Sequence, residues 1–442
     1  IFPYLHLWND FARRASFINS MGRAAPDVLL YNPMESAWMQ ADADILDIEM
    51  WSFSENHPGG KRINEIDRIY ARAIDDLTAA RVEFLVGDRH YLGQMEVKKG
   101  KLARGGFEFK ALVLPALDIL SLETAAKIVD FVDSGGRVYA LAELPSASSE
   151  AGMGDPRMKQ LMDALRSHSG FTACGESGLK PLLDRPAPGL EGPVRFVSGE
   201  FPVLQHRRRI DGRDFFWLAN NSGDWRSCEV EIRGVRGAAS IWDCETGGIR
   251  GVSSTAGAAD SRLSLVFKPY EAYWLVFDPE RAAKAGPPEC RPEVESLASI
   301  EGPWKIVCDP SLQPVMEYPM TPPPEFIQGV EKPLEDWKAW GLEKFSGRME
   351  YMKTVTAGEA AKGVRLDLGR VRHAAEVWVN GRHCGARLWG PYEFDIGRAL
   401  HQGANEIRIR ISNLINNSYG ETAESGLLGP VRLVRIKPVE GD

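Results

Sequence analysis

The sequence predicts a multidomain chain in which an α/β domain with a parallel sheet is followed by two antiparallel β domains. Three observations predict this class. The first part alternates short apolar runs with helical periods, the middle has strand patterns separated by turns, and the final part alternates apolar and polar residues around a tight-turn signal. The 442 residues also exceed one ordinary domain, and about 150 residues per domain suggests roughly three.

Residues 26–195 are predicted to form a flavodoxin-like α/β domain. Continuous apolar runs at 28–31, 82–86, 111–114 and 138–141 are typical of strands that are covered on both faces. A helix spans 122–134 and is stopped by Gly135-Gly136, where a left-handed residue is least costly. A second helix carries one apolar stripe, made of Ile66, Ile69, Tyr70, Ala73, Ile74 and Leu77.

Residues 196–280 are predicted to form a small antiparallel β-sandwich. Strand-like runs at 215–218, 239–242, 263–267 and 273–277 are separated by turn clusters. Residues 281–296 contain Gly286-Pro287-Pro288 and are predicted to be a linker. The remaining residues, 297–442, are predicted to form a jelly roll.

The jelly roll has the clearest strand signals in the chain. Asn380-Gly381 supplies the residue pair that a type I′ hairpin needs, because both central residues take a positive φ. A period of two predicts one core face and one polar face for the strands on either side. The alternating apolar residues are Ala375, Val377 and Val379 in one strand and Ile407, Ile409 and Ile411 in another.

Composition excludes several classes of protein. The net charge of −8 is modest and its signs are interleaved, so no nucleic-acid footprint appears. The basic cluster 206–209 is interpreted as a solvated edge strand rather than a binding patch. Six scattered cysteines form no zinc or disulfide pattern, although a Cys228 to Cys244 bridge remains open. No apolar stretch has the length of a membrane span, and no signal peptide opens the chain.

The final part of the chain contains a set of motifs that together are specific. They are Phe345-Ser346-Gly347 with Tyr351, Leu366-Asp367-Leu368-Gly369, the strand and turn 375–381, the run 389–394, Gly403-Ala404-Asn405 and the closing run 425–431. This set resembles the galactose-binding-like jelly roll of glycoside hydrolase family 2 and, more closely, of family 106, the α-L-rhamnosidases. Each motif alone is weak, because similar turns occur in many sandwiches.

The resemblance implies a domain order and a function. The α/β domain is similar to a glutamine-amidotransferase-like domain that follows the catalytic barrel in these hydrolases, and residues 1–25 resemble the last helix of that barrel. The chain would then be the C-terminal accessory portion of a carbohydrate-active glycoside hydrolase, and the natural protein is expected to begin upstream of Ile1. The resemblance also implies an upstream barrel as partner, a homo-oligomer, a structural calcium ion without assignable ligands, and a periplasmic or extracellular location.

No catalytic residue is carried over, because the resembling enzymes hold their pair of carboxyl groups in the barrel. The chain also departs from the family pattern after residue 412. An Asn-Arg-Leu-Ile-Gly-Asp stretch usually follows there, whereas 416–421 reads Asn-Asn-Ser-Tyr-Gly-Glu. Because this arginine and aspartate are missing, the prediction that the protein is part of a glycoside hydrolase is firmer than the prediction that its sugar is rhamnose.

Loops of the jelly roll are the predicted carbohydrate-contact site. Sugars stack their C–H faces on aromatic rings and exchange hydrogen bonds with amides. Asparagines in loops also close turns on their own backbone, and Trp389 before Gly390-Pro391 would equally fill the end of the sandwich. Trp304 and Trp378 are interpreted as packing residues. The candidate contact residues are Trp389, Tyr392, Asn413, Asn416, Asn417 and Tyr419.

Two alternatives belong to other classes. One is a stand-alone carbohydrate-binding or oligomerisation module. The other is an independent α/β hydrolase built on Glu35, Asp88 and Glu143, which follow predicted strands and would converge beyond the carboxyl edge of the sheet. Such acids are more often helix caps and solvated groups.

No cofactor is evident in the α/β domain. The loop 32–38 has a proline and a glutamate where a flavin phosphate would need backbone donors. Cys174 lacks the glycines of a nucleophile elbow, so amidotransferase chemistry also looks absent.

Overall fold

The computed structural model describes residues 2–40, 60–175, 178–185, 187–257, 259–313, 322–358, 363–420 and 423–437. These residues form an α/β layer followed by two antiparallel β assemblies, so the multidomain α/β plus β-sandwich class is confirmed. A 3₁₀ turn, Phe2–Tyr4, leads into the first helix, α1, Leu5–Ser20.

The α/β layer contains a five-stranded parallel sheet in the order β12-β9-β7-β2-β3. Numbered along the chain, this is the order 2-1-3-4-5, which doubly wound sheets commonly adopt. The elements are β1 Arg23–Ala24, β2 Val28–Tyr31, α2 Met34–Gln40, α3 Lys61–Ala79, β3 Phe84–Gly87, α4 Arg89–Gly93, β4 Glu96–Lys98, β5 Lys101–Arg104, β6 Phe107–Phe109, β7 Ala111–Leu114, β8 Ile119–Leu120, α5 Leu122–Asp133, β9 Arg137–Ala140, β10 Ala147–Ser148, β11 Gly152–Met153, α6 Pro156–Ser167, β12 Phe171–Ala173 and α7 Lys180–Leu183.

The predicted helices and strands of this layer are present for the predicted reasons. Every residue of β2 and β7 is buried, as a strand covered on both faces requires. Helix α3 packs its predicted stripe on the sheet through Ile66, Ala73 and Leu77. The side chain of Ser121 caps α5, and Gly135 follows that helix with a φ of 101°.

The middle assembly packs a six-stranded sheet, β1-β14-β15-β21-β17-β18, on a four-stranded sheet, β13-β16-β20-β19. All four predicted strand runs lie within its strands. Strand β1 joins this sheet although it lies far upstream in the sequence. The further strands are β13 Val194–Ser198, β14 Val203–Ile210, β15 Arg213–Asn220, β16 Arg226–Ile232, β17 Ala238–Asp243, β18 Ile249–Val252, β19 Ser254–Ala256, β20 Ser261–Phe267 and β21 Ala272–Asp278.

The interpretation of 206–209 as a solvated edge strand is wrong for part of the cluster. Strand β14 lies between β1 and β15, and Arg207 is buried with its Nε donating to Asp214 at 2.9 Å. Gln205 on the same strand donates to Glu83 of the α/β layer at 2.8 Å. His206 of the cluster lies 3.8 Å from the same Glu83, so this part of the cluster belongs to the contact between the two assemblies.

The last assembly packs a six-stranded sheet, β24-β23-β25-β31-β28-β29, against a four-stranded sheet, β22-β33-β26-β30. Ile407, Ile409 and Ile411 are fully buried between them. Asn380 and Gly381 join β28 to β29 with φ values of 51° and 76°, as predicted. The elements are β22 Val294–Ser299, β23 Trp304–Val307, α8 Pro324–Gln328, β24 Val330–Lys332, β25 Arg348–Ala357, β26 Val364–Asp367, β27 Arg370–Arg372, β28 Ala374–Val379, β29 Arg382–Arg387, β30 Glu393–Asp395, β31 Gly403–Ser412, β32 Gly426–Gly429 and β33 Arg432–Ile436.

Helix α1 lies where the two β assemblies meet. Its buried residue Ile18 packs with Phe215 and Trp274 on the outer face of the six-stranded middle sheet. At its start, the Tyr4 hydroxyl donates to Glu376 on β28 of the last assembly at 3.0 Å. The helix therefore contacts both β assemblies, while the limits of the domains and their finer fold names stay predictions.

Candidate functional site

The six residues predicted to contact sugar lie on loops at one end of the last assembly. The start of β25 pairs with the end of β31, the end of β31 with the start of β28, and the start of β28 with the end of β29. The loops that follow β29 and β31 therefore leave the sandwich at the same end, and we refer to residues 388–392 and 413–420 as the rim loops. They carry Trp389 and Tyr392, and Asn413, Asn416, Asn417 and Tyr419, respectively.

Asn413 is buried and its amide is fully engaged inside the protein. Its Oδ1 accepts the backbone N–H of Gly347 at 2.8 Å. Its Nδ2 donates to the backbone carbonyl of Phe345 at 2.7 Å and to Ser425 Oγ at 3.1 Å. These bonds satisfy backbone groups of a buried loop, so the structure gives this amide a structural role.

Asn417 has the same kind of environment on the short 3₁₀ turn Ile415–Tyr419. Its Nδ2 donates to the carbonyl of Ala423 at 3.1 Å and to Ser425 Oγ at 2.9 Å, and its Oδ1 accepts the N–H of Ala423 at 3.1 Å. Only 1% of the residue is exposed. The amide closes the loop on its own backbone, which is the alternative that the sequence left open for these asparagines.

Asn416 and Tyr419 differ from Asn413 and Asn417 because neither of them is buried. Tyr419 is 79% exposed. Asn416 is half-buried, and its amide has no hydrogen-bond partner within the described part of the chain. Both therefore have the hydrogen-bonding capacity that a ligand contact requires, and sugar contact by these two residues stays a prediction.

Tyr392 is anchored at the centre of the rim. Its hydroxyl donates to the backbone carbonyl of His373, just before β28. Burial raises the pKa of the Tyr392 hydroxyl far above its ordinary value, and burial lowers the pKa of the His373 imidazole. Tyr392 is therefore a neutral donor held in one orientation, and His373 is neutral near pH 7.

Trp389 is held edge-on by helix α1. Its ring centroid lies 5.4 Å from that of Phe11 and 6.2 Å from that of Trp8, with interplanar angles of 70° and 87°. Trp8 itself is 50% exposed. The half-buried Trp389 therefore has a packing role against α1 and a partly open side, and these aromatic residues form one cluster at the edge of the rim.

Charged residues connect the rim to the middle assembly. Arg387 Nη1 lies 2.7 Å from Glu245 Oε1, and Arg387 Nε donates to the carbonyl of Glu393 at 2.9 Å. Arg14 of α1 donates to the carbonyls of Cys244 and Glu245 at 2.9 and 2.8 Å. The turn after β17 is thus held from both sides, by the helix and by the rim.

Sequence reasoning missed Trp8, Arg387 and Glu245 as neighbours of the rim. Tryptophan on the amphipathic helix α1 was a weak signal, because an apolar helical residue is most often a core residue. No local pattern relates Glu245 to Arg387, which is 142 positions away. Their contact depends on how the two β assemblies pack.

The three carboxylates at the α/β layer have separate partners. Asp88 caps α4 by accepting the N–H of Tyr91 at 2.8 Å. Glu35 pairs with Arg89 at 3.1 Å, and the side chain of Glu143 is 97% exposed. Asp88 is thus a helix cap and Glu143 a solvated group, as expected, whereas Glu35 is half-buried and its Oε2 has no hydrogen-bond partner among the described residues.

The described residues offer neither an activated thiol nor a ready metal site. All six cysteines are free, so no bridge joins Cys228 to Cys244. Burial raises the pKa of Cys174 to about 11, which keeps it protonated near pH 7. Within the described ranges, no group of three or more His, Cys, Asp and Glu side chains could hold a metal ion, so no ligands for calcium are assigned. Among the same residues, no helix is long and apolar enough to cross a membrane.

The fold is shared with part of a solved rhamnosidase. The structure of the rhamnosidase from Novosphingobium sp. PP1Y matches with a TM-score of 0.64 over 97% of this chain and 40% of that chain. The sequence identity is 20%, so this likeness concerns the fold alone. No family model matches the chain.

Two sequence relatives come from Formosa agariphila, and their names point to a beta-glucuronidase. One is 30% identical over 117 residues, which are 26% of this chain and 11% of the relative. The other is 31% identical over 91 residues, which are 19% of this chain and 8% of the relative. The chain thus spans about a tenth of the length of these relatives, and both relatives have names of carbohydrate-cleaving enzymes.

Proposed function

We propose that this chain is the C-terminal accessory portion of a carbohydrate-active glycoside hydrolase of the α-L-rhamnosidase type. In this proposal it supports a catalytic barrel in the same polypeptide and contributes sugar contacts from the rim loops. The observation that carries the proposal is the fold shared with the rhamnosidase over 97% of this chain. The two beta-glucuronidase-named relatives support a carbohydrate substrate without favouring one sugar.

The environment of helix α1 supports a scaffolding role. Its aromatic residues Trp8 and Phe17 remain 50% and 62% exposed, although the helix already packs on the middle assembly and on Trp389. A barrel whose last helix is α1 would bury this remaining apolar surface. It would also place its own catalytic carboxyl groups next to the rim loops.

The catalytic assignment is tested by comparing two proteins. The first is the chain alone, and the second is the same chain preceded by the barrel expected upstream in its gene. Both are assayed against an aryl α-L-rhamnoside and an aryl β-glucuronide. We expect turnover only from the longer protein, because in this proposal the pair of carboxyl groups that glycoside hydrolysis requires lies in the barrel. Turnover by the chain alone that is lost in Glu35→Gln would overturn the accessory role and favour an independent α/β hydrolase.

The contribution of the rim is tested in the longer protein. Asn416→Ala and Tyr419→Phe remove hydrogen-bonding groups that make no described internal contact. We expect KM to rise while the thermal unfolding temperature stays the same. Unchanged kinetics in both variants would leave the rim with a structural role only.

A further inference from the structure

The six-stranded sheet of the last assembly has an outer face with an unusual composition. Strand registers place five side chains in one row across five strands, and we refer to them as the Trp378 row. They are Lys305, Met352, Arg408, Trp378 and His383. Four inter-strand spacings give this row a length of about 19 Å.

Trp378 is half-buried on the outer side of the sheet and does not belong to the core. The guanidinium carbons of Arg408 and Arg410 lie 4.2 and 4.8 Å from the centroid of its ring. The His383 ring centroid is 5.3 Å away. The sequence predicts a packing role for both Trp304 and Trp378, and only Trp304 is fully buried. Trp378 is therefore a half-buried ring on the outer face of the sheet, packed against cations on the next strand.

The charges beside this row are balanced. Arg410 contacts Glu350 at 2.8 Å and Glu376 at 3.3 Å. Glu376 also lies 3.1 Å from His383 Nε2 and accepts the Tyr4 hydroxyl at 3.0 Å. Two guanidinium groups thus face two carboxylates, and Lys305 of the row is opposite Glu331 in the register of β23 and β24. The face therefore favours an uncharged ligand over an anion or a cation.

Hydrogen-bonding capacity remains within this network. Arg408 contacts Glu350 only through Nη1, at 3.6 Å from Oε1. Within the described residues, Glu350 Oε2 and the other two nitrogens of Arg408 have no partner. A carboxylate oxygen and a guanidinium edge side by side match the acceptors and donors of neighbouring sugar hydroxyls.

We propose that the Trp378 row binds a neutral oligosaccharide chain lying across the strands. The exposed part of the indole contacts the C–H groups of one sugar ring, and Arg408 with Glu350 binds its hydroxyls. The length of the row suits several consecutive sugar units rather than one. The inference takes only the carbohydrate class from the proposed function, and it assigns binding to a surface separate from the rim loops.

The test is affinity gel electrophoresis of the chain in gels containing galactomannan, xyloglucan or arabinogalactan. We expect at least one polymer to retard the chain and Trp378→Ala to weaken that binding about tenfold. Trp38→Ala is the matched control, since this tryptophan is 68% exposed on α2, outside the row. Trp378→Phe retains an apolar ring, and we expect an intermediate retardation from it if Trp378→Ala does not fold.

Three results would overturn this inference. The first is the absence of retardation by all three polymers. The second is equal retardation of the Trp378 and Trp38 variants. The third is a concentration-dependent dimer in light scattering that Trp378→Ala abolishes, which would make the row a protein contact. Loss of retardation in Trp389→Ala, with no effect of Trp378→Ala, would support the rim of the proposed function and reject the Trp378 row.

Discussion

Replacement of Asn413 by alanine separates the hydrogen-bonded, buried asparagines of the rim from the half-buried Asn416. The change removes three hydrogen bonds, to Gly347, Phe345 and Ser425. A hydrogen bond contributes about 1 kcal/mol net, and each buried partner left unsatisfied costs about 1 to 3 kcal/mol. Because Asn413 joins two segments that are 66 residues apart at Gly347, we expect the free energy of unfolding to fall by about 3 kcal/mol.

The assay is urea unfolding followed by tryptophan fluorescence, with Asn416→Ala as the matched control. The same substitution at Asn416 removes an amide without a described partner, so we expect a change within about 0.5 kcal/mol. Equal losses in the two variants, or no loss at Asn413, would refute the reasoning that burial and bonding distinguish these neighbours. A loss of sugar affinity in Asn416→Ala without a loss of stability would show that Asn416 has a binding role and Asn413 a structural one.

Three further predictions concern other buried groups. Burial raises the pKa of Glu83 from 4.5 to about 6, so the folded state binds the proton more tightly than the unfolded state does. The contribution of this carboxyl group to stability is therefore fully present below pH 4.5, and about 2 kcal/mol of it is lost as pH rises through 6. We expect Glu83→Gln to remove this part of the pH dependence in unfolding curves, and identical curves for both proteins would contradict the assignment. The Tyr351 hydroxyl accepts the indole N–H of Trp337 at 2.6 Å, whereas the buried Tyr31 hydroxyl has no partner in the described structure. We therefore expect Tyr351→Phe to lower the free energy of unfolding by about 2 kcal/mol and Tyr31→Phe to lower it by less than about 1 kcal/mol. Trp389→Ala removes the aromatic contacts with α1, so we expect the free energy of unfolding to fall by about 2 kcal/mol and the unfolding temperature to fall with it. An unchanged unfolding temperature would show that these contacts do not stabilise the packing of α1.

The conditions of the pH measurement follow from the surroundings of Glu83. Gln205 donates to its carboxylate at 2.8 Å, and His206 Nδ1 lies 3.8 Å away. Burial lowers the pKa of His206, so its titration also falls in the acidic range. The difference in unfolding free energy between the original protein and Glu83→Gln, followed against pH, therefore reports the carboxyl group of Glu83. The pH dependence of the original protein alone also contains the titration of His206.

Much of the fold was predictable because it depends on neighbours in sequence. The two-residue period of Ile407, Ile409 and Ile411 placed them on one face, and all three are buried in the core. Asn380-Gly381 predicted the turn between β28 and β29, since both residues tolerate a positive φ. The predicted strands of the α/β layer were likewise found, although the second begins two residues later than predicted.

The candidate site was predictable only in part. The sequence predicted that loops of the last assembly carry the candidate contact residues, but their shared end follows from the strand registers, which make β29 and β31 run in the same direction. It did not distinguish Asn413 and Asn417, which bond to buried groups, from the half-buried Asn416, whose amide has no described partner. Nor did it indicate that Trp378 would lie on an outer face beside two arginines of β31.

The sequence by itself determined which residues form strands and helices and which face of each is apolar, since these properties follow from the geometry of the local backbone. Only the tertiary structure decided the partners of the polar and aromatic residues. Tyr4 meets Glu376 across 372 positions of chain, and Arg387 meets Glu245 across 142. Such contacts depend on how separate sheets pack, because a local pattern gives the direction of a side chain but not what it will meet.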